Sequence, residues 1–114
     1  MKHDDLVYLG HMLDTARRAV EKLKDKTREH FDGDEDLRIV LAHWVQIVGE
    51  AASRVSPGMA ATHPAIPWRR IVGMRHRIVH DYMDIDEDIL WEVVMRSLPE
   101  LIVLLTPLLP DEES

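Results

Sequence analysis

Apolar residues recur with a helical period along most of the chain. From Asp5 to about Lys24, the residues Leu6, Leu9, Leu13, Ala16, Val20 and Leu23 share one face, flanked by Met12 and Ala19. Asp14, Arg18, Glu21 and Lys22 lie on the polar side. The stretch TREHFD (27–32) reads as a helical turn with Phe31 as an apolar plug. Gly33-Asp34 reads as a break with Asp34 an N-cap. Asp36 to Val55 carries the cleanest amphipathic pattern. Leu37, Val40, Leu41, Trp44, Val45, Ile47, Val48, Ala51, Ala52 and Val55 form a broad apolar face opposite His43, Gln46, Glu50 and Arg54. Ser56-Pro57-Gly58 ends it, and Met59 to Pro64 is a linker with room for one helical turn. The residues before Pro64 and Pro67 should be extended.

The next helix is predicted to open at Pro67 and run to Tyr82. On it Trp68, Ile71, Val72, Ile78 and Val79 fall on one arc, with Tyr82 at the edge and Arg75 in the middle. A guanidinium centred on an apolar stripe is costly to bury unless it is paired. Arg69, His76 and His80 cluster on the other side, with Gly73 leaving room for something to approach. After this helix, Asp84 and Asp86 offer N-caps to a helix that is apolar on more than one side through Ile85, Ile89 and Val93, Leu90 and Val94, and Trp91 and Met95. Ser97-Leu98-Pro99-Glu100 has capping-box spacing and predicts a fresh helix start. Leu101 to Leu109 is almost wholly apolar, which points to a subunit interface. No strand alternation, repeat or low-complexity segment is visible. The expected architecture is a single all-α domain over residues 1–114, a bundle of four to five helices.

Charge changes the picture in one place. The chain has 14 basic and 21 acidic residues, a net charge of −7. Between Ile66 and Met83 there are four arginines (69, 70, 75 and 77) against one acid, Asp81. Arg69 and Arg70 lie where the helix dipole disfavours cations, so an anion such as an RNA phosphate accounts for them better than helix stability does. An acidic chain argues against non-specific nucleic-acid binding, so any such contact is local to this island. There is no cysteine, hence no disulfide framework and no thiol chemistry. The opening MKHDDLVYL has acids where a signal peptide needs an apolar core, and no uncharged apolar run reaches membrane-spanning length. The expected location is the cytoplasm, with no membrane contact.

Arg75 and His80 form R-x4-H, and Tyr82 extends it to R-x4-H-x-Y. Histidine titrates near neutrality and moves protons to or from a hydroxyl, while arginine stays charged and forks onto phosphate oxygens. Such a pair can cleave RNA without a metal. The 2′-hydroxyl attacks the adjacent phosphorus, imidazole moves a proton, and guanidinium stabilises the charge that develops on the phosphorane-like transition state. Five residues on an ideal helix span about 140°. Either the helix ends near His80, or a two-fold partner brings the groups together. The competing reading is a structural arginine paired with a carboxylate. His76 and His80, at i and i+4, are a candidate metal pair without a third ligand at diagnostic spacing, so no metal and no cofactor is assigned. Glu50 either pairs with Arg54 on the surface or with an arginine or histidine of the site. Trp44, Trp68 and Trp91 read as core or interface anchors rather than base-stacking platforms.

QIVGEAASRVS (46–56), HPAIPWRRIVGMRHRIVHDY (63–82) and LWEVVMRSLPEL (90–101), together with the opening DDLVYLGHMLD, resemble the HepT-like ribonucleases of the HEPN superfamily. The resemblance covers nearly the whole chain. It implies an all-α fold and a homodimer with its cleft at the subunit interface. It also implies metal-independent endoribonuclease activity, as the toxin half of a type VII-like toxin–antitoxin pair. The antitoxin would resemble a minimal nucleotidyltransferase, MntA, which transfers AMP to the tyrosine of the motif. Carried onto this chain, Arg75 and His80 become the catalytic pair and Tyr82 the modification site as O-AMP-tyrosine. His76 stands where the family often has Asn. It is carried with Glu50 as a supporting residue. Beside what the resemblance implies, the basic island makes Arg77 a further supporting candidate and Arg69 and Arg70 the phosphate-binding candidates. The alternative is a non-catalytic helical dimer that binds a minimal nucleotidyltransferase.

Overall fold

A computed structural model describes residues 3–81 and 84–110 of the chain. The side chains of His3, His80 and Asp81 also lie outside what it describes. Two long helices, α1 (His3–Leu23) and α3 (Glu35–Ser53), pack against each other along most of their length. Leu9, Met12, Ala16, Ala19 and Leu23 of α1 meet Leu37, Leu41, Val45, Val48 and Ala52 of α3 in a continuous apolar core. Between them, α2 (Arg28–Asp32) is capped by the Thr27 side chain, which accepts from the His30 amide. Phe31 is fully buried there as the expected plug. Asp34 caps α3 as expected, accepting from the Leu37 amide at 3.0 Å.

One buried acid is not legible as such in the sequence. Asp5 accepts from the Ser56 amide at 2.8 Å and from its hydroxyl at 2.7 Å. Ser56 in turn caps α4 (Pro57–Thr62), accepting from the Met59 amide. The start of α1 is thus tied to the junction after α3, and the carboxylate is satisfied despite its burial.

The segment from Trp68 to Ile85 departs from expectation. Instead of one helix to Tyr82 there are two single-turn helices, α5 (Trp68–Val72) and α6 (Met74–Ile78), hinged at Gly73. A short antiparallel hairpin follows, β1 (Val79–Asp81) with β2 (Asp84–Ile85), where Val79 faces Ile85 and Asp81 faces Asp84. Helix α6 stops because its C-terminal hydrogen bonds are diverted. The Ile78 carbonyl, which a continuing helix would offer to the amide four residues on, accepts instead from Asp86 N–H at 2.6 Å. The β-branched pair Val79 and Ile85 suits the extended state. The sequence shows no strand here because three residues are too few for alternation to register.

The last part of the bundle is α7 (Glu87–Glu92), capped by Asp86, followed by α8 (Leu98–Leu105) and a closing 3₁₀ turn at Thr106–Leu108. The expected fresh start at Ser97 does not occur. The chain stays helical through a π-turn at Val93–Ser97, and Ser97 makes no side-chain cap. Pro99 explains the widened turn. It has no N–H to give the Met95 carbonyl, and its ring would crowd that carbonyl in an α-helix. Helix α8 lies on α1, and α6 lies on α3 and α7, completing an all-α bundle with the hairpin as its only extended part among the described residues. No helix among the described residues is long and apolar enough to cross a membrane.

Candidate functional site

The site grows from a close approach between α3 and α5. Gly49 is buried in α3, and a Cβ there would sit 3.0 Å from the Ile71 carbonyl oxygen and 3.5 Å from that of Val72. Only a residue without a side chain lets the two backbones meet this closely. The contact brings the polar side of α3 against the start of α6. The result is a shallow groove of about 160 Å³ lined by Gln46, Glu50 and Ser53 of α3, Val72 of α5, and Arg75 and His76 of α6.

Arg75 is exposed in this groove and does not sit on the apolar stripe where the helical wheel places it. The buried stripe runs through Ile71, Met74 and Ile78. It is rotated away from Val72, which is 42% exposed, and Arg75 lies beyond its edge. Glu50 shares the groove with Arg75 and His76. Ser53 turns its hydroxyl back onto its own helix, donating to the Glu50 carbonyl at 2.6 Å.

The other expected site residues are distributed differently. His80 is on β1, beyond the end of α6, so it does not share a helical face with His76. The i, i+4 metal pair therefore has no helix to stand on. Among the described residues, no three His, Asp or Glu side chains are grouped to hold a metal. The His80 side chain and the whole of Tyr82 lie outside the described residues. Arg77 is half-buried on α6. Arg69 is exposed on α5 outside the groove lining. Arg70 borders a different cavity, between α5 and α8, with Pro67, Met74, Leu98 and Leu101. The tryptophans behave as anchors. Trp91 packs 5.2 Å from the Phe31 ring, and Trp68 donates its indole N–H to the His63 carbonyl at 3.0 Å.

Two liners of the groove, Gln46 and Ser53, have no role in the sequence reading. They flank Glu50 at helical spacing, and Gln46 stands on the same polar face, so the signal is the face itself. Gly49 lies in the GEA segment, but a close approach to α5 is a tertiary fact that no local pattern carries.

With this geometry in place, the chain can be set beside known proteins. Residues 12–108 match the family Ribonuclease HepT-like. A protein of Caldanaerobacter subterraneus subsp. tengcongensis, designated a candidate RNase, is 31% identical over 82% of this chain and 84% of its own length. A protein of Thermococcus cleftensis named Probable ribonuclease HepT is 30% identical over 78% of this chain and 84% of its own. A candidate RNase of Methanocaldococcus jannaschii is 28% identical over 88% and 92%. No solved structure matches the chain significantly. The resemblance read from the QIVGEA and RRIVGMRHRIVHDY segments thus holds across the bundle, and the chain belongs to the Ribonuclease HepT-like family.

Proposed function

We propose that this protein is a metal-independent endoribonuclease of the cytoplasm, the toxin half of a toxin–antitoxin pair, with Arg75 and His80 as its catalytic residues. The observation that carries the reading is the groove between α3 and α6. An exposed arginine stands there beside Glu50 and His76, and the helix ends at Ile78, two residues before His80. Ending the helix removes the obstacle of about 140° that an unbroken helix would set between the two groups. The 2′-hydroxyl oxygen attacks the neighbouring phosphorus and the bond to the 5′-oxygen breaks. His80 moves the proton from attacking to leaving oxygen, and the products end in a cyclic phosphate and a 5′-hydroxyl. The Arg75 guanidinium binds the non-bridging oxygens as their charge grows. Glu50 and His76 position Arg75.

A groove of about 160 Å³ is small beside the roughly 300–1,000 Å³ of ordinary ligand clefts. A second copy across a two-fold axis supplies the missing wall. The exposed apolar residues Val72, Met95 and Val103 support an apolar contact between copies. Tyr82 is the site at which a minimal nucleotidyltransferase attaches AMP, whose phosphate competes for the arginines that hold the RNA.

The test is incubation of purified protein with total RNA in EDTA, beside His80→Ala. The expected result is fragments ending in cyclic phosphate from the wild type and intact RNA from the variant. Activity lost with chelator and restored by zinc overturns it. So does a dimer that leaves RNA whole, which would make the chain a binding partner of the nucleotidyltransferase only. With the cognate nucleotidyltransferase and ATP, the protein gains mass in steps of AMP and stops cleaving, and Tyr82→Phe refuses the label.

A further inference from the structure

A second basic stretch lies away from the groove. Residues 17–28 carry six cations (Arg17, Arg18, Lys22, Lys24, Lys26 and Arg28) against two acids, Glu21 and Asp25, in a chain of net charge −7. The fold gathers part of it around an aromatic ring. Arg18, Lys22 and Lys26 border an open depression of about 800 Å³ together with the apolar Val20 of α1, Trp44 of α3 and Ile102 of α8. Arg17 also borders it but already engages a neighbour. Glu21 is the single acid of the lining among the described residues. The cations are exposed, while Trp44 and Ile102 are half-buried and packed against the core, so the indole is anchored in the bundle and borders this depression.

We infer that this depression is a second binding surface for single-stranded RNA, with the phosphate backbone on Arg18, Lys22 and Lys26 and a base on the accessible part of Trp44. Charge and shape select this occupant. A second copy of the chain docked two-fold on the same face would set its cations against their own images. A single strand needs both elements present here, a cationic track and an aromatic face that accepts any base. The reading revises the expectation that Trp44 is an anchor only. Trp44 and Glu50 are six residues apart on α3, which sets them about 120° apart around that helix, on different faces. One strand therefore reaches both this surface and the groove only by passing over the edge of the bundle. The surface adds affinity for long RNA and nothing for a substrate of two or three nucleotides.

The inference rests on the ribonuclease reading for the identity of its ligand, and the experiment separates the two. Binding of a fluorescent single-stranded RNA of about twenty nucleotides, 2′-O-methylated so that it cannot be cut, is titrated at several salt concentrations with full-length wild type, Lys22→Glu/Lys26→Glu and Arg75→Ala. The double charge reversal should weaken binding about tenfold or more. It should also flatten the salt dependence by roughly 0.7 for each phosphate that is no longer neutralised. The KM for long RNA should rise while cleavage of a dinucleotide is unchanged. Lys22→Gln/Lys26→Gln should give a smaller loss in the same direction, and the helical CD signal should be that of wild type in both. Unchanged affinity and salt slope in the double reversal overturn the inference and leave the ribonuclease reading standing. A double reversal that binds RNA normally but no longer binds the nucleotidyltransferase also overturns it, and makes this a protein-docking face. A wild type that binds no RNA defeats both readings at once.

Discussion

In the α1–α3 pair each helix is long, 21 and 19 residues. Among the described residues between Trp68 and Ile85, no regular element exceeds five residues. In both regions the helical wheel sets the apolar stripe slightly off its true line. On α1 the stripe drawn through Leu6, Leu9, Leu13, Ala16, Val20 and Leu23 keeps Leu9, Ala16 and Leu23 at its centre but is shifted from Leu6 and Val20 toward Met12 and Ala19, which are fully buried. On α5–α6 the stripe drawn through Val72 and Val79 is rotated toward Met74. The shift changes little on α1 because the residues it brings in, Met12 and Ala19, are apolar, and the one buried acid, Asp5, is satisfied by Ser56. On α6 it carries Arg75 out of the core and into a groove. Where an element is long, a misplaced stripe costs nothing. Where it is a single turn, the same shift decides whether a charge is structural or functional.

The comparison predicts unequal costs for substitutions. The largest loss of stability belongs to the long pair. Leu41→Ala, at a fully buried position of α3, should destabilise by about 2–5 kcal/mol in chemical denaturation. Next comes the point where the two regions meet. Gly49→Ala sets a methyl 3.0 Å from the Ile71 carbonyl and should cost about 1–3 kcal/mol. Because α5 must back away, its RNA cleavage should fall more than that loss of stability explains. An Asp34→Ala variant removes a working cap and should cost about 1 kcal/mol. Ser97→Ala should stay within about 0.5 kcal/mol, since the hydroxyl caps nothing. Equal losses at Asp34 and Ser97 would mean that α8 starts afresh after all.

Much of the bundle is readable because its signals are local and repeated. The Thr27–Asp32 turn, the Asp34 and Asp86 caps and the long apolar faces each need only neighbours within one or two turns of chain. What is not readable depends on distant partners. The end of α6 is set by Asp86, eight residues on, reaching the Ile78 carbonyl. The π-turn follows from Pro99 acting on the turn before it, in a sequence that also spells a capping box. Within the candidate site, Arg75, His76 and Glu50 are named by the sequence and do share a groove, whereas Arg70 borders another cavity. The six cations of residues 17–28 are plain in the sequence, yet reading α1 for its apolar face passes over them. Only the packing of α3 and α8 puts Trp44 and Ile102 beside them.

The central claim is that Arg75 serves the reaction rather than the fold. It is tested by measuring RNA cleavage and thermal unfolding on one preparation of Arg75→Ala. Cleavage should fall by about 10²-fold or more. Unfolding should move by no more than about 0.5 kcal/mol, because an exposed side chain is removed. Cleavage that survives the substitution, or that is lost only together with the folded state, would contradict the account.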